Sequence, residues 1–376
     1  MGELLRRYWH PIGRVSDASE IPRMVRALGE DLVLFRDKMG RAGLVYPRCV
    51  HRGASLFYGR TEDRGIRCCY HGWLFDVEGR CLEQPGNPNP GIPSSVRQPV
   101  YPLQERYGLV FAYMGPPERR PLLPRYNILE TLLPGEHIEA DDSSIGSGGP
   151  TIVPCNWLQH FENVMDPMHV PVLHGSFSGT QFTERMNLMP DVRFEGSTDR
   201  VSSVQLRKLP SGHTHRRITE ALIPTVRAVA NPQSTNDGPC SLLGWVLPLD
   251  DTSFRIYSAG RVTSHGALKQ IRSRFNGKPW SELTETEHQR FPGDYEAQVG
   301  QGPITFHSEE HLVSADRGVV LLRSLLKRQV DAVGRGEDPS GLVFEGASDL
   351  IELTAGTTTM AEAPTPPDDR LDRKLT

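Results

Sequence analysis

Two short cysteine–histidine pairs constrain this chain more than any other feature. Cys49-Val-His51 is followed, after sixteen residues, by Cys68-Cys-Tyr-His71. Each pair can curl back through a turn so that both of its side chains point at one place. Two thiolates and two imidazoles then converge on a tetrahedral Zn²⁺, or on a [2Fe–2S] cluster with two Cys on one iron and two His on the other. The flanks favour iron. Gly53 follows the first pair and Gly72-Trp73 the second, and glycine lets a loop lie close over inorganic sulfides with its backbone N–H groups facing them.

The six cysteines fall at 49, 68, 69, 81, 155 and 240. Four crowd together and two are scattered, a distribution that suits a metal site better than a disulfide framework. Only Cys68 gives C-x-x-H with His71, so Cys69 and Cys81 read as semi-buried thiols.

A chain of 376 residues has room for two domains. Glycine (36) and proline (31) are abundant, which favours a chain rich in turns and strands over a helical bundle. The formal charge is −4 with no basic block, so neither nucleic acid nor an anionic membrane is an expected partner. No run approaches the ~18 apolar residues of a membrane span, and the N-terminus lacks the apolar core of a secretory signal. A soluble, cytoplasmic protein is expected.

Strand-like stretches at 31–35, 43–46 and 107–113, with turns at Asp37–Gly40 and Glu78–Arg80, predict an all-β first unit over 1–120. From about 150 the pattern changes. Trp157, Leu158, Phe161, Val164, Met165 and Met168 follow a 3.6-residue stripe, which predicts a helix. Strands follow between 190 and 262, and a second helix over 319–333. Polar Thr, Ala and Pro beyond 358 predict a flexible tail over 359–376.

A second cluster of metal-ligand types lies in that first helix: Asn163-x-x-Asp166-x-x-His169-x4-His174. Asp166 and His169 are spaced to share a helix face. His174 is off the repeat, and Pro171 before it predicts a break that turns the second imidazole back. Two His and a carboxylate from elsewhere make the facial triad of non-haem iron(II) enzymes. Taken alone, two His near an Asp are more often structural.

Both motifs, in this order, resemble the Rieske non-haem iron oxygenases. His51-Arg-Gly and Cys68-x-Tyr-His-Gly-Trp73 match the cluster loops of that family, and Asn163 to His174 matches its mononuclear iron motif. The departure is Cys69, where many members carry Pro. The resemblance implies an α+β chain: a Rieske [2Fe–2S] domain over 1–120, then a helix-grip (START/Bet v1-like) catalytic domain with an antiparallel sheet over 121–358. It implies Cys49, His51, Cys68 and His71 as cluster ligands, and His169 and His174 on a mononuclear Fe(II). The third iron ligand is expected from a later helix. Asp294, in Phe291-Pro-Gly-Asp294 before Gln301-Gly-Pro-Ile304, is the expected residue, with Glu296 and Asp316 as competitors. His307 and His311 read as structural. Asp166 is expected to bridge His169 to the cluster ligand His71 of a neighbouring subunit, in a head-to-tail C3 homotrimer.

The chain has no glycine-rich nucleotide fingerprint and no four-cysteine ferredoxin set. NAD(P)H electrons must therefore arrive through a separate reductase, with or without a ferredoxin, and O₂ is the co-substrate. Leu4–Ile12, Gly65–Asp76 and Gly300–Ile304 look like the phthalate dioxygenase-like and aryl O-demethylase branch, active in aromatic catabolism. The resemblance thus implies an oxygenase of a small aromatic compound. O-demethylation or monooxygenation of a methoxylated aromatic acid is the first expectation. A cis-dihydroxylating dioxygenase of a phthalate-type acid is the alternative, and an electron-transfer Rieske protein without oxygenase activity a remote one.

Overall fold

The computed structural model describes residues 2–88, 91–93, 95–142, 150–179, 181–268, 278–345 and 350–361. The N-terminal part is built from small antiparallel sheets. Trp9–Arg14, Leu109–Tyr113 and Leu103–Arg106 form one, with Leu109–Tyr113 in the middle, and Arg23–Ala27, Glu30–Arg36 and Ala42–Val45 form another. A four-stranded meander, Arg60–Glu62, Gly65–Arg67, Leu74–Phe75 and Cys81–Glu83, carries the second Cys–His loop. A core of Val33, Phe35, Val45, Leu56, Ile66 and Phe75 packs directly behind Cys49 and Cys68.

The second half is organised on one nine-stranded antiparallel sheet. Its main path runs His137–Asp141, Ser253–Val262, Leu242–Asp250, Val226–Ala228, Thr214–Leu222, Arg200–Lys208 and Asp191–Gly196. Gly356–Met360 also pairs with Thr214–Leu222, placing Thr359 opposite His215. The expected tail is therefore corrected at its start: residues 359 and 360 are strand, because the consecutive β-branched Thr357, Thr358 and Thr359 favour extended backbone. Residues 362–376 lie outside the described residues.

One face of this sheet packs through Leu222, Leu243, Trp245 and Tyr257 against Trp9 and Phe111 of the first half. The opposite face takes the helices. Trp157 and Phe161 from one, and Leu322, Leu325 and Leu326 from another, bury against Val201, Ala221, Val246 and Ile256. The latter helix, Arg317–Gly334, buries its apolar residues at i, i+3 and i+4, as a helix lying on a sheet requires. This is the α+β, helix-grip arrangement expected above.

The Trp157–Val164 helix opens on Asn156, whose side chain accepts the Leu158 N–H at 3.0 Å. It ends earlier than its apolar stripe suggests. Pro167 disfavours the helical conformation at Asp166, so Asp166 lies in a turn and not on a helix face with His169. The chain re-enters helix over Val170–Phe177 with wide, π-type turns. Pro171 sits in the first turn of that helix, where a missing N–H costs nothing. It starts this helix; the expected break is not there.

Candidate metal centres

The two Cys–His loops repeat one hydrogen-bond pattern. In the first, the Cys49 N–H donates to the Ala54 carbonyl at 2.9 Å and the Gly53 N–H to the Cys49 carbonyl at 2.8 Å. In the second, the Cys68 N–H donates to the Trp73 carbonyl at 2.9 Å and the Gly72 N–H to the Cys68 carbonyl at 3.1 Å. Gly53 and Gly72 have φ of +77° and +74°, a left-handed conformation that a side chain resists. Each glycine therefore closes its loop over the pair before it.

Cys49 and Cys68 are buried with their thiols in contact, and the backbone N–H groups of His51 and Arg52 reach the Cys49 sulfur. The His51 and His71 rings meet edge to face at 4.6 Å, and Trp73 stacks on His51 at 4.4 Å. Thus the thiols face inward and the half-buried imidazoles face the protein surface. Burial pushes the Cys49 thiol up to about 11, with Cys68 beside it adding to the effect. Thiolates form here only against a cation held between them. Two thiols on one side, two imidazoles on the other and donors aimed at sulfur fit a Rieske-type [2Fe–2S] cluster.

Cys69 is exposed, not semi-buried. Cys69→Ala is accordingly expected to leave the visible and EPR signatures of the cluster nearly intact, whereas Cys68→Ala or His71→Ala removes them. Loss of the signatures in Cys69→Ala would show that the ligand register is shifted by one residue.

The second centre draws on three elements. His169 caps the wide helix, His174 lies within it, and Asp294 opens the Asp294–Val299 helix. Five residues of α-helix would turn His174 roughly 140° away from His169. The i→i+5 bonding of π-type turns instead stacks position i+5 above position i. The wide helix therefore resolves the spacing that looked off the repeat. His174 Nε2 lies 3.2 Å and His169 Nε2 3.5 Å from the same Asp294 Oδ1, and the three residues form a group able to hold a metal.

The far sides of both rings are occupied. His174 Nδ1 donates to Gln181 Oε1 at 2.8 Å, and His169 Nδ1 donates to the Asp166 backbone carbonyl. Both Nε2 lone pairs are thereby aimed at the Asp294 side, as ligating histidines require. Asn163 Nδ2 reaches Asp294 Oδ1 at 3.4 Å. Burial alone would push the Asp294 carboxyl up, but His174 and His169 hold it below the usual carboxylate range. Two neutral nitrogens and one carboxylate oxygen fit a 2-His-1-carboxylate iron(II) site.

The competitors are engaged elsewhere. Glu296 accepts from Trp280 Nε1 at 2.8 Å and His288 Nδ1 at 2.7 Å and caps its own helix through the Gly293 N–H. Asp316 accepts the Val313 N–H at 2.7 Å. His307 lies beside Glu162 and Glu310, whose carboxylates are both clamped by Arg323. Asp166 Oδ1 accepts the Met168 N–H at 2.9 Å, while Oδ2 stands 3.6 Å from His169 Nδ1.

Sequence reading missed Gln181, which sits in a polar loop without any motif. It also missed His160, fully buried, whose Nδ1 pairs with Gln298 Oε1 at 3.0 Å. Burial and nearby Arg227 bring the His160 imidazole down to about 3, so it is neutral at any working pH. Gln181→Leu keeps the bulk of the side chain and removes the acceptor. It is expected to weaken retention of the mononuclear iron about 10–100-fold, measured as iron left after dialysis against a chelator with the cluster absorbance unchanged.

Among the described residues, no helix is long and apolar enough to cross a membrane. Residues 8–102 match the Rieske [2Fe-2S] domain. The chain is 49% identical to a phenoxybenzoate dioxygenase alpha subunit of Ectopseudomonas oleovorans, over 94% of this chain and 88% of that relative. It is 31% identical to the oxygenase subunit of a 5,5'-dehydrodivanillate O-demethylase of a Sphingobium species, over 92% and 80%. Its fold is similar to that of dicamba monooxygenase bound to dicamba, with a TM-score of 0.64 at 17% identity, covering 88% of this chain and 99% of that one.

Proposed function

The chain belongs to the Rieske non-haem iron oxygenases as an oxygenase (alpha) subunit, and from that premise we propose that it oxidises an aromatic acid bearing an ether. The observation that carries the reading is the pairing of two centres in one chain: the Cys49/His51/Cys68/His71 loops and the His169/His174/Asp294 group. We assign the first four residues to the [2Fe–2S] cluster and the other three to mononuclear Fe(II). We further propose that residues 1–120 and 121–358 act as separate units, one for electrons and one for oxygen chemistry.

When bound, the cluster supplies single electrons and the ferrous iron supplies the place where O₂ and substrate meet. The protein's own part is positioning. Gly53 and Gly72 hold the cluster loops closed, and Gln181 and Asp166 fix the two iron-site imidazoles. His160, neutral and buried, keeps a second positive charge away from the site. Electrons come from NAD(P)H through a separate reductase, with or without a ferredoxin.

Asp166 is assigned the wiring role between subunits. Its carboxylate is one-third exposed beside His169, and His71 lies at the surface of the cluster tip. Exposed apolar side chains surround both places: Val50, Tyr58 and Tyr70 near the cluster, Val172 and Phe177 on the wide helix. Unlike patches on one chain meet head to tail, and such contacts close into a ring. On this ground we propose a head-to-tail C3 homotrimer.

The substrate class follows the relatives. Phenoxybenzoate and dehydrodivanillate are both aromatic acids carrying an aryl ether. Dioxygenation next to the ether is the first reading, since the relative at 49% identity is named a dioxygenase. O-demethylation is the second, favoured by the relative at 31%. The test incubates the holoprotein, a surrogate reductase and NADH with 3-phenoxybenzoate and a panel of methoxylated benzoates. Phenol or diol formation supports the first reading and formaldehyde the second; no oxidation of any aromatic acid overturns both.

A further inference from the structure

Beyond Val201, which is buried, the strand Arg200–Lys208 is folded the opposite way from its hydrophobicity. Its apolar residues Val204 and Leu206 are only partly buried, while Ser203, Gln205 and Arg207 are fully covered. Sheets bury a polar face when something polar must be held there. The next strand continues the pattern. Arg207 stands opposite His215 and Gln205 opposite Arg217, so these four share the face that the helices cover.

The relative exposures of Arg207, His215 and Arg217 are 0%, 0% and 4%. Arg207 donates to the Leu188 carbonyl and to Gln205 Oε1, both at 3.0 Å, and its Nη2 has no partner. Arg217 donates to the Ala230 carbonyl at 2.6 Å. Neither guanidinium has a carboxylate within salt-bridge distance among the described residues. Asp237, whose Oδ1 stands 3.8 Å from His215 Nδ1, accepts from Arg185 at 3.0 Å. Arg185 also approaches His215 Nδ1 at 3.4 Å. A guanidinium can only donate, so His215 must accept there and carry its proton on Nε2, which is itself buried without a partner. Burial lowers the His215 imidazole to about 4 and both arginines only to about 10. Two cations with no carboxylate of their own and a neutral N–H donor thus sit in the interior, and Asp237, 3.8 Å from the His215 Nδ1 side, is shared with Arg185. That arrangement is costly unless an anion is to be bound.

The same segment that holds the iron-site histidine covers this face. Gln181 bonds His174, Arg185 reaches His215, and the Leu188 carbonyl accepts from Arg207. We propose that Arg207, Arg217 and His215 form a buried carboxylate-binding site that receives the acid group of the aromatic substrate and so sets its orientation toward the His169/His174/Asp294 centre. This deepens the aromatic-acid reading above and rests on it. The arginine forks match a carboxylate in shape, and the His215 Nε2–H adds a third donor.

The test is calorimetric binding to the oxidised holoprotein without reductase, so that nothing turns over. The probes are 3-phenoxybenzoate and its neutral carboxamide, on the wild type, Arg207→Met and Arg217→Met. The acid is expected to bind wild type far more tightly than the amide. Each Met variant is expected to lose about a hundredfold in acid affinity while binding the amide as before. Ligand-free Met variants should also unfold at a temperature equal to or above wild type, since each removes an uncompensated buried charge. If a Met variant does not fold, Arg217→Lys, which keeps the charge but loses the fork, should still lower acid affinity. Equal affinity of wild type for acid and amide, or an acid preference that survives the substitutions, overturns the carboxylate site but leaves the aromatic oxygenase reading standing. Binding of neither probe, together with no oxidation of any aromatic acid, overturns both.

Discussion

Asp294→Ala is expected to yield a folded, red-brown protein with an intact cluster, about two irons per chain instead of three, and product formation below about one-hundredth of wild type. Asp294 is the only anionic donor in its group, and its Oδ1 faces both Nε2 atoms. Removing it leaves two neutral nitrogens, too weak a set to retain Fe(II). The cluster loops lie on a different sheet with their own core, so their EPR signal should not move. His169→Ala and His174→Ala are expected to behave alike. Glu296→Ala is the control, because that carboxylate is engaged with Trp280, His288 and the Gly293 N–H. Iron analysis on the four variants decides the assignment: a third iron retained in Asp294→Ala and lost in Glu296→Ala would move the ligand two residues along.

Asp166→Asn is expected to separate binding from wiring. The amide is nearly isosteric, and the His169 Nδ1 bond to the Asp166 backbone carbonyl does not involve the changed atoms. Fold, cluster and iron content should survive. The lost feature is a negative charge 3.6 Å from His169 Nδ1 with a free oxygen able to accept an N–H from the partner subunit's cluster imidazole, since an amide nitrogen only donates. The reductase should still reduce the cluster at the normal rate. Transfer onward, and with it product formation, should fall by a factor of about a hundred or more. Rapid mixing of pre-reduced protein with O₂ and substrate follows the cluster absorbance directly. Reoxidation at the wild-type rate would leave Asp166 with the structural task of shaping the turn through its bond to the Met168 N–H.

Both variants test residues whose legibility in the sequence differed. Cys49, His51, Cys68 and His71 could be read directly, because each pair needs only a turn of its own to converge and the glycines that make those turns are adjacent. His169 and His174 were nearly as legible, although the geometry that unites them was not. The expected α-helical face and proline break gave way to a turn at Asp166, set by Pro167, and a wide helix that brings i and i+5 together. The C-terminal expectation also gave way at residues 359 and 360, which close the sheet beside His215.

What the sequence determined by itself was local: candidate ligands a few residues apart, the turns between them, and the two amphipathic helices. These depend on contacts that neighbouring residues make with one another. Tertiary structure decided the rest. Asp294 meets His174 across 120 residues, and Gln181 reaches the His174 imidazole only once its loop has folded back. Arg207 and His215 become neighbours through strand register, with their polar face turned inward against the hydrophobic pattern. A strand has two faces, and its period is the same whichever one is buried. What lies above the sheet, not the strand's own residues, selects the face.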